Sequence, residues 1–549
     1  MKYNQSTHLP GIFESVNNLN DNCLFYGDNL TIMRSMPPRS IDLIYLDPPF
    51  NSQRNYNLIY KKLTGLPVPE QEEAFCDAWE MDAEKEHMVR NMPVAFEEYG
   101  ADKDLIEFWK TCIQALRHTQ PQLLAYLVYM SYRLFEMKRI LKSTGSLYLH
   151  CDPTASHYIK VILDGIFGHS NFRNEIVWQR TSSHNDSRKW GSVHDTILFY
   201  SKSNQFTWNP VYTEHDEKYV ADFYRHEDER GVYRLDHIIR SASMGARPNL
   251  AYEYKGYTPE WGWRVIREKL ETLDADGRLE WSKTGRPYLK RYLHEQKGTP
   301  IKDIITDIPP IGAQSNERLG YPTQKPIPLL QRIIQASSNP GDVVFDPFAG
   351  CGTAIYAAHL QERKWIGCDI AILSVQLVRD VLEKRYGLKE GEHYRISGVP
   401  VSIEGAYDLL SRDSRQFQHW AVELAGGFSS TKHSGDLGID GRIHFETQDG
   451  LKNLVISVKG GKLTPAFMRE LHGVLEREES SELGGLICLQ EPTKGIISEA
   501  ASAGQYYYQG VGYDRLQIRT VSELLEGRSF HTPSRVQTLN WVKQPRLPL

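Results

Sequence analysis

Ile41–Phe50 reads IDLIYLDPPF. An apolar run stops at Asp47, and two prolines and an aromatic follow. The run predicts a buried parallel strand. Pro48 and Pro49 fix a rigid turn at its carboxyl end and have no N–H to donate. The turn can present the Asp47 carboxylate, a bare carbonyl and the ring of Phe50 to one ligand. Two acceptors beside a flat ring suit an exocyclic amino group on a nucleobase. A proline turn after a strand also occurs in many α/β proteins without such a role, so a second element is needed.

Val343–Thr353, VVFDPFAGCGT, supplies it. A short apolar strand ends at Asp346. A turn with Gly350 and Gly352 follows, then a helical pattern from Ala354 to Glu362. Glycines after a strand let the backbone approach a ligand and aim helix N–H groups at it. The next short strand, Trp365–Cys368, leads to Asp369, 23 residues after Asp346. An acidic residue near that distance holds ribose hydroxyls in Rossmann-like folds. There is no Walker lysine and no full GxGxxG, so neither a nucleoside triphosphate nor a dinucleotide is indicated.

DPPF and FDPFAGCGT resemble the catalytic and S-adenosylmethionine-binding motifs of amino-group DNA methyltransferases. Tyr321–Pro326, YPTQKP, resembles the family segment before the cofactor loop, and Gly27-Asp28 the element near the cofactor's adenine. The order, with DPPF first and YPTQKP and the glycine loop last, is that of the permuted β class. The resemblance covers roughly residues 20 to 385. It implies double-stranded DNA as partner and catalysis by Asp47, Pro48, Pro49 and Phe50. It implies S-adenosylmethionine held by Asp28, Thr323, Lys325, Asp346, Pro347, Phe348, Gly350, Gly352, Thr353 and Asp369. It favours adenine N6 over cytosine N4, because cytosine-N4 enzymes more often carry Ser where Asp47 stands. Cytosine N4, RNA and a non-catalytic DNA-binding protein are the alternatives.

These motifs need a scaffold. A chain of 549 residues is too long for one core, so two or three domains are expected. Hydrophobic content of 40% and charged content of 24% are ordinary for a globular protein. No apolar run approaches the ~20 residues of a bilayer span. The start, MKYNQSTHLPG, has no signal-peptide core, and the seven cysteines form no CxxC pair. No membrane association and a cytoplasmic location are therefore expected, with oligomeric state left open. A net charge of −5 leaves nucleic-acid binding to local basic patches.

Strand–helix alternation around both motifs predicts an α/β, Rossmann-like, doubly wound sheet with ligand turns at strand carboxyl ends. Leu123–Leu141 and Pro153–Phe167 read as helices and Ser146–His150 as a strand. His150 is expected at a strand end lining the base pocket. Between about 180 and 320, aromatic and basic residues mix: Arg180, Arg188, Lys189, Trp190, Trp261, Trp263, Arg264, Lys290 and Arg291. Such mixtures suit phosphate and stacking contacts, although Trp261 and Trp263 also fit an inserted core. The expected layout is 1–206 (catalytic), 207–316 (target-recognition insert), 317–398 (cofactor-binding), 399–412 (linker), 413–530 and 531–549 (tail).

Within 413–530, Phe417–Ala425 reads as a helix, followed by GIDGRIHF (438–445) and LVISVK (454–459). The pair of strands resembles the PD-(D/E)xK core of Mrr-like restriction endonucleases. Asp440 matches the aspartate, a ligand to Mg²⁺, and Lys459 the lysine. Ser457 stands where Glu or Gln is usual, so either weak nuclease action or a nuclease fold kept for DNA binding is implied. Glu423 and Asp436 are candidate replacement ligands.

Overall fold

Each central strand alternates its side chains between two apolar layers, which is why it needs helices on both faces. The computed structural model describes residues 21–49 and 81–533, apart from 102, 153–154, 182–187, 189, 246, 313, 320, 322, 430–437, 449 and 479. Its main sheet contains β1 (Asn22–Tyr26), β2 (Ile41–Leu46), β3 (Leu141–Cys151), β4 (Phe172–Gln179), β5 (His194–Ser201), β6 (Ile304–Ile305), β7 (Val343–Asp346), β8 (Lys364–Asp369) and β9 (Tyr394–Ser397). The order is β6-β4-β5-β3-β2-β7-β8-β1-β9. From β3 to β9 every neighbouring pair is parallel, while β5 runs antiparallel to both β3 and β4. Cys23, Phe25, Ile44, Phe345 and Cys368 face one core with the helices Pro121–Ile140 and Ser156–Phe167. Leu24, Tyr26, Leu43, Tyr45 and Val344 face the other, with Ile327–Ser337, Thr353–Leu360 and Ile372–Tyr386. In Ser156–Phe167, Ile159, Ile162, Leu163 and Ile166 lie in the core, while Val161 is 40% exposed.

The chain divides into two compact units, Pro210–Lys302 and the remainder. The smaller unit lies within 207–316. It has an antiparallel sheet in the order His226–Asp228, Gly231–His237, Pro287–Tyr292, Leu279–Trp281. Its core is Ile238, Trp263, Leu270 and Leu279. Trp263 is fully buried and its indole N–H donates to the Tyr252 carbonyl at 2.8 Å, so it is not available to stack on a base. Lys290 pairs with Asp228 and Arg291 with Asp236, so these two basic residues are spent on internal acids. Trp263, Lys290 and Arg291 thus help to hold a small domain together.

The C-terminal region belongs to the larger unit. It has a second sheet in the order Phe428–Ser429, Gly441–Thr447, Gly450–Lys459, Ser481–Cys488, Leu516–Thr520. The helix Ser414–Leu424 precedes it. Phe417, Trp420, Ile443 and Ile456 lie in the same apolar cluster as Tyr26 and Val378 of the main sheet layer. Among the described residues, no helix is long and apolar enough to cross a membrane.

Candidate active site

β2 and β7 are adjacent and parallel, with Leu43 opposite Val344. Their carboxyl ends therefore bring Asp47 and Asp346 to one edge, although almost 300 residues separate them in sequence. A cavity of about 330 Å³ opens there. Asp47, Pro48, Pro49, Asp28, Thr323, Lys325, Asp346, Pro347, Phe348, Gly350, Thr353 and Asp369 all line it. Gly352 is not on its wall, and Phe50 lies outside the described residues.

Gly352 acts one step back. It is the N-cap of the helix Thr353–Leu360, in the left-handed conformation at φ 85°. An added Cβ would stand 2.8 Å from Tyr356 and Val378, so only glycine turns the chain here. Gly350, at φ 51°, donates its N–H to Asp369 Oδ2 at 2.8 Å, and Ala371 donates to Oδ1 at 2.9 Å. Asp369 thus ties the glycine turn to the end of β8. Burial raises its pKa to about 6, against the opposing effect of those N–H groups. Asp346 accepts the Phe348 N–H at 3.0 Å. Burial, reinforced by the charges of Asp47 and Asp369, raises it to about 8.

Lys325 donates to Asp47 Oδ2, and also to the Thr323 carbonyl at 3.3 Å. Both side chains of the pair are largely buried. The YPTQKP lysine therefore meets the Asp47 carboxylate on the wall of the cavity. Asp28 caps the helix Asn29–Ser35 by accepting from the Thr31 N–H at 3.0 Å. It also pairs with Arg133. Arg133 donates to Asn29 Oδ1 at 2.6 Å, and Asn29 Nδ2 donates to the Pro347 carbonyl at 2.8 Å. The guanidinium lies 3.3 Å from the ring centre of Tyr129, itself on the cavity wall.

Asn29 and Tyr129 on the cavity wall, and Arg133 behind them, are residues that motif reading passed over. The signal was present: Arg133 is a cation inside the otherwise apolar stretch Leu123–Phe135, and Tyr129 lies one helical turn before it. His150 is fully buried and absent from the wall. It takes the Tyr45 hydroxyl at Nδ1 (3.0 Å) and Asp195 at Nε2 (3.2 Å), so it supports Tyr45, which does line the cavity.

The second expected site does not assemble in the same way. Asp440 Oδ2 accepts the Val458 N–H at 2.6 Å, Ser457 is buried, and the Lys459 ammonium lies 5.0 Å from the Phe467 ring centre. Glu423 faces Ile372 and Asp369 of the main sheet layer. Asp436 lies outside the described residues. Among the described residues, no three His, Cys, Asp or Glu groups converge to hold a metal ion. A Mg²⁺ ion needs oxygen ligands in near-octahedral array, and Asp440 alone does not supply them.

Residues 41–379 match the family model described as DNA methylase, of the N6/N4 type. The chain is 37% identical over 261 residues to Type II methyltransferase M.EcaI of Enterobacter cloacae, covering 46% of this chain and 56% of that one. It is 24% identical over 349 residues to DNA adenine methyltransferase YhdJ of Escherichia coli K12, covering 63% of this chain and 78% of that one. The solved PvuII DNA methyltransferase (cytosine-N4-specific) is 12% identical, with a TM-score of 0.32, over 68% of this chain and 95% of that one. The match spans little more than half the length of M.EcaI. The family model itself covers most of the chain, and it runs from the strand before Asp47 to the helix after Asp369. With both cavity-lining turns inside that match, the chain belongs to the N6/N4 DNA methylase family.

Proposed function

We propose that the chain transfers a methyl group from S-adenosylmethionine to adenine N6 in double-stranded DNA, in a restriction–modification setting. One observation carries this reading: the Asp47-Pro48-Pro49 turn and the Asp346–Thr353 turn line a single cavity. The cavity fits the cofactor. Buried carboxylates at Asp346 and Asp369 favour a positive charge, and the glycine turn brings backbone close to a ligand. Asp369 and Asp28 would hold the nucleoside part, and Thr323, Lys325 and the turn the methionine part. Bound S-adenosylmethionine supplies an electrophilic methyl on its sulfonium.

The amino group of adenine is a poor nucleophile, because its lone pair is delocalised into the ring. Asp47 and the Pro48 carbonyl accept its two hydrogens and favour a pyramidal nitrogen. Lys325 engages Oδ2 and leaves the other oxygen to the amino group. Positioning and preorganised acceptors then supply most of the acceleration. The reactive atom lies inside the duplex, so the base must be extruded to reach Tyr45 and Asp47. A relative named for adenine supports N6 over N4.

The test is direct. Unmethylated genomic DNA is incubated with the protein and S-adenosylmethionine, digested to nucleosides and analysed by mass spectrometry. N6-methyladenine is expected. N4-methylcytosine in its place would overturn the base assignment, and no methylated base at all would overturn the activity. No cleavage step is derived from Asp440 and Lys459, because no metal-holding cluster forms around them among the described residues.

A further inference from the structure

The helix Ser414–Leu424 lies beyond the residues matched by the DNA methylase model. It packs on the helix Ile372–Tyr386, which begins three residues after Asp369. Phe417, Trp420 and Ala421 are buried in that contact's apolar cluster. Two polar side chains enter the same contact. Glu423 sets its carboxylate against the backbone N–H of Ile372, within Coulomb range of Asp369. Gln416 lies against the Tyr26 hydroxyl. It also backs Gly27, where an added Cβ would stand 3.5 Å from Gln416 Nε2.

For folding alone this is a poor choice of residue. Glu423 Oε2 is buried without a hydrogen-bond partner among the described residues. Burial raises the carboxyl pKa to about 8. An apolar side chain of similar size would avoid that desolvation. The position makes sense from the other side of the contact. The helix Ile372–Tyr386 has Ala371 at its N-cap and no side-chain cap of its own. Its first N–H groups need acceptors, and the Glu423 carboxylate lies next to that of Ile372. The turn so held, Asp369–Ala371, lines the cavity, as does Gly27.

We propose that Glu423 and Gln416 are positioning residues of the cofactor site, supplied by the C-terminal region. They hold the Asp369–Ala371 turn and Gly27 from behind, so the C-terminal region forms the back wall of the methyltransferase cavity. This rests on the cofactor reading given above.

The test uses the full chain, calorimetry with S-adenosylhomocysteine, steady-state methyl transfer and thermal melting. Glu423→Leu is expected to raise the Kd, and the KM for S-adenosylmethionine, on the order of ten-fold, with kcat at saturation within about two-fold. Its Tm is expected to hold or rise, because a buried carboxylate has gone. Glu423→Gln keeps an oxygen acceptor beside Ile372 and is expected to recover most of the affinity. Gln416→Leu is the second variant, expected to weaken binding in the same direction. Unchanged Kd and KM in both leucine variants would overturn the proposal. So would an affinity loss matched by a fall in Tm in both, which is the signature of a merely structural role. A wild-type chain that binds no S-adenosylhomocysteine would overturn the cofactor reading, and this proposal with it.

Discussion

Asp47 has one oxygen engaged by Lys325 and is not among the groups that hold the glycine turn, so under the proposed function base chemistry and cofactor binding are separable at this residue. Asp47→Ala is expected to reduce methyl transfer by about 10² or more, the scale of losing one preorganised group. Cofactor affinity should stay within a few-fold by calorimetry. Asp346 gives a second prediction. Its pKa of about 8 means it carries a proton at pH 7. A cationic cofactor beside it favours the ionised form, so binding of S-adenosylmethionine at pH 7 should release up to about one proton. S-adenosylhomocysteine lacks the sulfonium charge and should release fewer. Calorimetry in buffers of different ionisation enthalpy reads this directly, and Asp346→Asn should remove it. The sign for folding follows too. Between the unfolded carboxyl range near pH 4 and about pH 8, the folded chain holds a proton that the unfolded chain has lost, so this group's contribution to stability falls as pH rises. The acids themselves were legible in the sequence because each ends an apolar run. Their pKa values were not, because those depend on what packs around them from distant parts of the chain.

The glycine turn shows how an element sets the site. Gly352 and Gly341 both have φ of 85°. A Cβ at Gly341 meets nothing within 4 Å, whereas at Gly352 it would meet Tyr356 and Val378 at 2.8 Å. Gly341→Ala should therefore cost only the left-handed strain, about 1–2 kcal/mol. Gly352→Ala adds a clash at the N-terminus of the helix Thr353–Leu360 and should also weaken cofactor binding by roughly ten-fold or more. Melting and calorimetry on the pair separate strain from displacement of the turn. Most main-sheet elements were readable from pattern: β2, β7, β8 and the helix Pro121–Ile140 follow apolar runs and stop signals to within a few residues. The neighbours of those strands were not readable. Placing β7 between β2 and β8 depends on pairing across long loops, which no local period encodes. The ion pairs of Lys290 with Asp228 and of Arg291 with Asp236 were unreadable for a similar reason, since they join different strands of the insert.

For the molecule as a whole, Pro210–Lys302 has its own core and sheet and is removable in principle. Replacing 210–302 by a short Gly/Ser linker is expected to leave cofactor binding within a few-fold and to abolish sequence-selective methylation. Methylome sequencing of a host expressing the variant checks it, and retention of the same methylated site would move recognition elsewhere. The order of the main sheet has a consequence for how the chain is made. β3 is the only partner of β2 available until β7 has been synthesised. The bond from the Val343 N–H to Asp42, at 2.9 Å, closes a span of 301 residues. Until then one long edge of β2, the strand that leads into Asp47, has no neighbour on the ribosome. An open apolar edge is a template for pairing with other chains, and contacts of such sequence separation form late. Premature termination between residues 151 and 343 thus leaves an aggregation-prone half-sheet, and chaperone dependence during translation should fall once β7 and its other neighbour β8 have emerged.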